Sequence, residues 1–420
     1  YLANRGYTVD IFERRPDMRK SDLSAGRSIN LALSARGIHS LKEVGIFDQI
    51  KPTIIPMKGR MIHNLNGDTH LQPYGQKKDE MIYSVSRAKL NMDLMTRAEE
   101  TGRVEIHFNH KLKNADLTNK ILDFGGKQVS FNQVIGCDGS ASPLRKAIIE
   151  KSQADYVKKP LGHGYKELVI PPSENDEFLL DPNALHIWPR GEFMLIALPN
   201  LDRTFTCTLF FPMMGPTSFE TVKNENDITG LFKIYFLDAL ELMPTLVKDF
   251  QNNPTGNLAT VYCDPWHITD KAILLGDAAH AVVPFFGQGM NASFQDCTVL
   301  NNLIGENEGD WGKIFEKYSL SHVPNGHAIA DMAIENYIEM RDSVNNPNFK
   351  KRRQLELELE QKFPDKFIPR YSMVSFHQIP YADVYRRGAI QFDLMNKFMA
   401  GEISVTELHT TILGQLQPIK

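Results

Sequence analysis

The sequence has no long hydrophobic run, few cysteines and almost no excess charge. Its longest apolar stretches, such as Phe193 to Pro199, suit buried strands and fall well short of the roughly 18 residues that a membrane-spanning helix needs. The four cysteines lie far apart without a CxxC pattern or a nearby histidine pair, which predicts no disulfide framework, no metal site and a reducing compartment. The 47 basic and 51 acidic residues leave a net charge of -4, which disfavours nucleic acid as a partner.

Alternating helices and strands dominate the first part of the chain. With 42% apolar residues, the 420 residues can build a large core, which excludes a disordered or fibrous protein. Ser34 and Ser86 are placed to cap helices that Gly45 and Gly102 would end, and Ser142-Pro143 predicts a further helix start. Short apolar strands are predicted at Glu105–Asn109 and Gln133–Gly136. This alternation indicates an α/β, Rossmann-like nucleotide-binding domain.

The middle of the chain has a different pattern. Three strand-like runs, Leu185–Trp188, Phe193–Leu198 and Thr204–Phe211, are separated by short turns and predict an inserted antiparallel sheet. The α/β pattern resumes at Lys271–Leu275, and the sequence is mostly helical from Asn301. The predicted units are therefore 1–160 and 263–325 for the nucleotide-binding domain, 161–262 for a substrate domain with the antiparallel sheet, and 326–420 for a helical C-terminal region.

The first residues resemble the inside of a dinucleotide-binding unit. Tyr1 to Gly6 has the pattern of a helix end, and Tyr7–Glu13 that of a strand ending in an acid. In a dinucleotide-binding unit such an acid holds the adenosine ribose, about 20 residues after the glycine fingerprint. We therefore expect the fingerprint to lie upstream of residue 1, although Glu13 alone could equally be a surface acid.

Two acid–glycine pairs follow apolar strands. Asp138 lies in Gly136-Cys-Asp-Gly139, and Asp277 follows Gly276. Ligands collect at the carboxyl ends of strands in α/β sheets, so both carboxylates could bond a polyol or ribityl chain; each alone could be a turn residue. The glycines of Pro284-Phe-Phe-Gly-Gln-Gly-Met-Asn291 would let the backbone approach a flat ligand, with a helix N-terminus facing it.

These motifs carry a specific resemblance. The Asp138-Gly139 pair and GDAAHAVVPFFGQGMNASFQD, residues 276–296, resemble the flavin-dependent aromatic hydroxylases. More narrowly, several segments are similar to the kynurenine 3-monooxygenase family: Gly26–Ser34, Arg60–His63, Pro73–Gly75, Ser84–Arg87, Leu185–Arg190, Phe205–Phe210 and Asn336–Arg341. The resemblance covers nearly the whole chain and implies a two-domain fold that binds FAD.

The resemblance also implies which residues serve the cofactor and the substrate. It assigns to FAD the residues Phe12, Glu13, Arg14, Arg15, Ala32, Arg87, Leu112, Asp138, Asp277, Met290 and Asn291. It assigns Arg60, Tyr74, Asn336 and Tyr371 to the substrate, and a water-excluding wall at the flavin face to Pro284, Phe285, Phe286 and Gln288. An arginine fork beside a phenol and an amide suits an amino-acid carboxylate. From the residues alone, Arg60 could lie on the surface and Tyr371 in the core.

The implied activity is NADPH-dependent hydroxylation of L-kynurenine at its 3-position by O2 through a flavin C4a-hydroperoxide. His280 could act as a base, but the aniline amino group of the substrate already activates the ring. No second nucleotide fingerprint is visible, so the family implies that NADPH docks transiently. Two alternatives remain: a hydroxylase of the same fold acting on another phenolic or aromatic compound, and a non-catalytic flavoprotein-like binding module.

The family also implies a location. Its members resemble proteins of the outer mitochondrial membrane, facing the cytosol and held by a C-terminal apolar segment. Leu408 to Lys420 is too short and too polar to span a bilayer. We therefore expect any anchor to lie outside this sequence.

Overall fold

Parallel strand pairs and a seven-stranded sheet form the framework of the computed structural model, which describes residues 1–20, 30–153, 155–343 and 347–419. The strands are β1 Val9–Phe12, β2 Asn30–Leu33, β3 Ile54–Met57, β4 Gly59–His63, β5 Thr69–Pro73, β6 Ile82–Ser86, β7 Val104–His107, β8 Asn114–Asp116, β9 Ile121–Asp123, β10 Gln128–Ser130, β11 Val134–Gly136, β12 Asp155–Ile170, β13 Ala184–Pro189, β14 Met194–Pro199, β15 Phe205–Pro212, β16 Gly256–Asp264, β17 His267–Ile268 and β18 Ala272–Leu274.

The helices cover both the α/β part and the C-terminal part of the chain. They are α1 Ala35–Glu43, α2 Phe47–Ile50, α3 Arg87–Glu100, α4 Pro143–Ser152, α5 Glu225–Tyr235, α6 Leu237–Leu240, α7 Leu246–Asn252, α8 Asp277–His280, α9 Gly289–Asn307, α10 Trp311–Ile338, α11 Pro347–Lys362, α12 Arg370–Phe376, α13 Tyr381–Met399 and α14 Val405–Gln415. A 3₁₀ turn lies at Pro284–Phe286, and α10 continues into a π-helical turn at Glu339–Ser343.

The α/β part contains the predicted parallel strands. β1 pairs in parallel with β7, and β11 with β18, so the predicted α/β class is confirmed. Ser86 and Ser142 cap α3 and α4, because each hydroxyl accepts the backbone N–H three residues later. The prediction that the Ser34 hydroxyl caps α1 is wrong. Ser34 precedes α1, but its backbone N–H donates to Asn291 Oδ1 and its side chain does not cap the helix.

The predicted antiparallel sheet is present and larger than expected. β13, β14 and β15 pair antiparallel, and the sheet order is β16-β12-β15-β14-β13-β4-β5. β4 joins β13 in parallel, so residues from the first part of the chain extend this sheet and bring Arg60 beside it. The predicted domain boundaries themselves stay a prediction.

The two faces of the seven-stranded sheet pack against different helices. One face carries Trp188 and Phe205 against Phe232 of α5. On the other face Ile62 packs with Phe286, α10, α12 and α13, which confirms the predicted helical C-terminal region. The residues predicted to bind substrate therefore lie where the sheet, the 284–286 turn and the C-terminal helices meet.

Among the residues that the structure describes, no helix is both long enough and apolar enough to cross a membrane.

A buried histidine pair ties the sheet to α6. His63 Nε2 lies 2.8 Å from His186 Nδ1, His63 Nδ1 lies 2.8 Å from Asp238 Oδ2, and Trp188 Nε1 donates to the same carboxylate oxygen at 2.7 Å. His186 is 2% exposed, and burial lowers its pKa from 6.5 to about 4. His186 is therefore neutral in the folded protein under conditions that protonate it in the unfolded chain.

This pair predicts a pH dependence of stability. Below pH 6.5 the unfolded chain binds a proton at His186 that the folded protein does not bind, so the free energy of unfolding falls as the pH falls towards 4. Between pH 7 and pH 5, His186 contributes a loss of about 2 kcal/mol. Guanidinium titrations should show that loss reduced in His186→Gln and unchanged in a variant of the exposed His39, His39→Gln. An equal loss in wild type and His186→Gln would contradict the prediction.

Candidate active site

A cavity of about 380 Å³ lies between the sheet and the C-terminal helices. Its walls come from β4 and β5, the end of α10, and helices α11, α12 and α13. Its lining includes Arg60, Tyr74, Phe286, Asn336, Glu339 and Tyr371. The structure therefore brings together the four residues predicted to bind substrate, and places Phe286 of the predicted wall beside them.

Arg60 lines this cavity beside two stacked aromatic rings. Its guanidinium carbon is 4.8 Å from the ring centroid of Tyr371 and 5.8 Å from that of Tyr74, and the two tyrosine rings stack at 5.1 Å. Arg60 is only 8% exposed, and its nearest carboxylate oxygen, on Glu339, is 3.7 Å away. Arg60 Nε and the Tyr74 hydroxyl form no hydrogen bond with any described residue. A buried donor left unsatisfied is costly, so the part of the cavity around Arg60 suits an anionic ligand.

The phenols beside Arg60 are neutral donors. Burial raises the pKa of Tyr371 and raises that of Tyr74 well above 10. Both hydroxyls therefore keep their protons near neutral pH and can donate to an acceptor. The site can offer an anion a guanidinium together with phenolic O–H groups.

The 284–289 segment approaches the cavity through Phe286. The Phe286 ring stacks on Tyr371 with centroids 5.4 Å apart, and Asn336 Nδ2 donates to the backbone oxygen of Phe285 at 2.7 Å. The other members of the predicted wall do not line the cavity. Pro284 is exposed, Phe285 stacks on Tyr337 at 3.8 Å, and Gln288 is buried with its Oε1 accepting from Tyr381 at 2.9 Å. Their place at a flavin face stays a prediction.

The residues predicted to hold FAD lie mainly at strand ends and helix starts. Asp138 and Asp277 are exposed and follow the parallel neighbours β11 and β18, so they leave the same edge of the sheet. Asp138 Oδ2 also accepts from the backbone N–H of Leu144 at 3.1 Å. Met290 and Asn291 lie in the first turn of α9, where backbone N–H groups have no partner within the helix. The two carboxylates can accept hydrogen bonds from the hydroxyls of a polyol, and the N–H groups at the start of α9 can donate to phosphates.

The side chain of Asn291 serves the protein rather than the cofactor. Its Oδ1 accepts from Ser34 N, and its Nδ2 donates to the backbone oxygens of Ala32 and Gly287, all at 2.8 to 2.9 Å. Gly287 has a φ of +64°, and a β-carbon there would lie 3.0 Å from that of Ala32. The segment therefore passes so close to β2 that glycine is required, and only the backbone of Asn291 is free to face a ligand.

The remaining predicted FAD residues lie nearer the chain start. Glu13 follows β1 and its Oε1 accepts from the backbone N–H of Arg15 at 2.8 Å. Leu112 packs against the core of the α/β part, and the Phe12 ring stacks on Phe124 with centroids 4.5 Å apart. The three arginines predicted to serve FAD are exposed: Arg14, Arg15 and Arg87. Residues 26–29 of the Gly26–Ser34 segment lie outside the described residues.

Sequence reasoning missed residues that contact this site. Glu339 lies one helical turn after Asn336, and that spacing of three residues was the only available signal. His280, considered as a base, is not among the cavity residues. Its Nε2 lies 2.7 Å from Asp296 Oδ2, and this oxygen also accepts from Gly276 N at 2.8 Å. His280 therefore helps to hold the turn before Asp277.

An exposed group of possible metal ligands is also present. Asp10, Glu105 and His107 on β1 and β7 have ligand atoms within 4.8 Å of one another. Asp10 and Glu105 are exposed, and His107 Nε2 already lies 2.9 Å from Asp10 Oδ1. Surface pairs of this kind are common, so the group gives no reason to infer a metal.

Known proteins are similar to this chain in sequence and in fold. Residues 1–318 match the family model described as FAD binding domain. A kynurenine 3-monooxygenase of Myxococcus xanthus is 46% identical over 96% of this chain and 88% of its own length, and that of Sus scrofa is 40% identical over 98% and 88%. The tetrameric form of 2-methyl-3-hydroxypyridine-5-carboxylic acid oxygenase superposes with a TM-score of 0.67 at 18% identity, over 82% of this chain and 89% of that one, which shows the fold alone.

The match to FAD-binding proteins covers most of the chain, and the matches to the curated relatives cover nearly all of it. Of the residues that carry the resemblance, Arg60, Tyr74, Asn336 and Tyr371 line one cavity, and Asp138 and Asp277 follow neighbouring parallel strands. The chain therefore belongs to the kynurenine 3-monooxygenase family of FAD-dependent aromatic monooxygenases.

Proposed function

We propose that this enzyme hydroxylates L-kynurenine at its 3-position in the 380 Å³ cavity, consuming NADPH, a proton and O2 and releasing 3-hydroxykynurenine, NADP⁺ and water. The observation that carries this proposal is that buried Arg60 lines the same cavity as Phe286 of the glycine-rich segment. Arg60 suits an amino-acid carboxylate, and Phe286 belongs to the segment predicted to face the flavin; both contact the ring of Tyr371. The names of the relatives from Myxococcus xanthus and Sus scrofa support the same substrate.

The cavity residues bind and orient the substrate. The guanidinium of Arg60 attracts the carboxylate, and its free Nε offers a donor in the plane of a forked bond. The neutral phenols of Tyr74 and Tyr371 add O–H donors without adding charge. The flat ring of the substrate can then lie towards Phe286, whose ring is parallel to Tyr371 within 13°.

The protein needs to supply little acid–base chemistry. When bound, FAD supplies the redox chemistry, taking electrons from NADPH and activating O2. The aniline nitrogen of the substrate activates the ring carbon next to it, so no protein base is required. Consistent with this, His280 is held by Asp296 and does not line the cavity.

Phe286 excludes water from the reacting end of the cavity. Its ring is 5% exposed and lies against Tyr371. In Phe286→Ala we expect 3-hydroxykynurenine formed per NADPH to fall at least about twofold, with hydrogen peroxide making up the difference, because water enters the site. Leu65→Ala, at an exposed leucine between β4 and β5 that does not line the cavity, is the control.

The alanine variant could also lose stability, since removing a buried phenylalanine costs about 3 to 5 kcal/mol. Phe286→Leu keeps more of the side-chain volume, so its yield of 3-hydroxykynurenine per NADPH should fall less than that of the alanine variant. An unchanged ratio of product to NADPH in both variants of Phe286 would contradict its role.

Comparing substrates tests the proposed function. We expect L-kynurenine to accelerate NADPH oxidation by the FAD-loaded enzyme and to be hydroxylated, whereas a simple phenol or aniline without the amino-acid group should be turned over poorly. Efficient turnover of the simple compound would favour a hydroxylase for another aromatic substrate. Absence of any NADPH oxidation would favour a binding module.

The location of the enzyme stays a prediction of the family resemblance. We propose the outer mitochondrial membrane, with the active site facing the cytosol. The test is protease treatment of intact mitochondria that contain the tagged full-length protein. Digestion without permeabilisation supports the proposal, and recovery in a non-mitochondrial fraction contradicts it.

A further inference from the structure

Arg36 is a fully buried arginine at the start of α1, and it forms no ion pair with a carboxylate of the described residues. Its Nε donates to the backbone oxygen of Val374 at 2.8 Å, and one terminal nitrogen donates to that of Met373 at 3.4 Å and to that of Ile379. The other terminal nitrogen donates to Gln295 Oε1 at 2.9 Å. A buried cation without a counter-ion is costly unless its donors are satisfied, so these contacts define what Arg36 does.

The backbone oxygens that Arg36 binds belong mainly to the end of α12. Met373 and Val374 lie in the last turn of this helix, where carbonyl groups lack partners within the helix and carry partial negative charge. Tyr371 lies in the first turn of the same helix and lines the cavity. Arg36 therefore fixes the end of the helix whose beginning forms the substrate site.

A second set of contacts leads from Arg36 to the glycine-rich segment. The ring of Tyr381 lies 4.0 Å from the guanidinium carbon, and the Tyr381 hydroxyl donates to Gln288 Oε1 at 2.9 Å. Burial raises the pKa of Tyr381 to about 12, so this hydroxyl remains a donor at neutral pH. Gln288 directly precedes α9, and Gln295 on α9 contacts Arg36 itself.

We propose that Arg36 is a positioning residue that holds α12 and the 284–289 segment in a fixed relation, so that Tyr371 and Phe286 stay stacked in the wall of the cavity. Arg36 does not line the cavity, and it acts only through these neighbours. The inference rests on the proposed function where it concerns L-kynurenine. Its structural part, the attachment of α12, is independent of the substrate.

Kinetics of the FAD-loaded enzyme provide the first test. In Arg36→Gln we expect KM for L-kynurenine to rise roughly tenfold, the range for losing a hydrogen bond to a charged group, with a lower yield of product per NADPH. Arg36→Lys should recover part of both, because an ammonium keeps the charge and loses the fork. Tyr381→Phe breaks only the link to Gln288, so it should lower the yield per NADPH and leave KM nearly unchanged. Lys42→Gln, an exposed cation on the same helix, is the control.

Hydrogen exchange provides a readout that needs no substrate. Backbone amides of 370–376 should exchange faster in Arg36→Gln than in wild type or Lys42→Gln, while FAD content stays equal. Unchanged exchange there, or an unchanged KM and yield in the folded FAD-loaded variant, would overturn the proposal. If wild type fails to hydroxylate L-kynurenine but exchange at 370–376 still responds to Arg36→Gln, the proposed function has failed and the positioning role of Arg36 stands.

Discussion

Replacing Arg60 by alanine should lower kcat/KM for L-kynurenine by roughly 30-fold to several thousandfold, because losing one partner of a buried charged pair costs about 2 to 5 kcal/mol. The guanidinium is 8% exposed and lies beside the stacked rings of Tyr74 and Tyr371. Without it the substrate carboxylate would lose the buried cation beside these neutral phenols and would still face the like charge of Glu339. Steady-state kinetics of the FAD-loaded variant measure the loss.

Further variants separate charge from geometry at this position. Arg60→Lys should recover only part of the activity, because lysine keeps the charge but cannot form a two-pronged bond. Lys58→Ala, which removes an exposed cation just before β4, should leave the kinetics unchanged. FAD content should equal that of wild type in all three. An Arg60→Ala enzyme with wild-type kcat/KM would remove the structural support for an amino-acid substrate.

Replacing Asp277 by alanine should weaken FAD binding about 10- to 150-fold, the effect of losing a hydrogen bond to a charged group worth about 1.5 to 3 kcal/mol. Of the two strand-end acids, Asp277 gives the more specific test of cofactor binding. Asp138 also accepts the N–H of Leu144 at the start of α4, so its loss would disturb the helix as well. Fluorescence titration of the apoprotein with FAD gives the dissociation constant.

Matched variants make this result specific. Asp277→Asn keeps an acceptor and should lose less affinity than the alanine variant. Glu306→Ala removes an exposed carboxylate from α9 and should bind FAD as wild type does. If Asp277→Ala also bound FAD with wild-type affinity, the assignment of this carboxylate to the cofactor would be wrong.

The placement of the residues predicted to serve the cofactor could be read from the sequence because its signals are local. Asp138 and Asp277 each follow a short apolar run, and this pattern predicts that both lie at strand ends. The parallel pairing of β11 with β18 confirms that position. The caps at Ser86 and Ser142 are local as well. At Ser34 the same reasoning was wrong: its side chain does not cap α1, and its backbone N–H donates to Asn291, distant in sequence.

The substrate side could not be derived from local pattern. Arg60 and Tyr371 stack only because β4 joins the seven-stranded sheet in parallel beside β13 and α12 folds back over it, and neither event leaves a periodic signal. Without the family resemblance, the sequence would allow Arg60 to be a surface residue and Tyr371 to be a core aromatic residue. Arg36 shows the same limit, since its partners on α9, α12 and α13 are all separated from it by more than 250 positions.

The most direct test of the account is to follow the oxygen atoms. FAD-loaded enzyme is mixed with NADPH, L-kynurenine and ¹⁸O2, and the product is analysed by mass spectrometry while NADPH is measured in parallel. We expect 3-hydroxykynurenine with a single ¹⁸O atom on the ring, formed close to one for one with NADPH consumed. Unlabelled product, hydroxylation at another ring position, or NADPH oxidised only to yield hydrogen peroxide would contradict it.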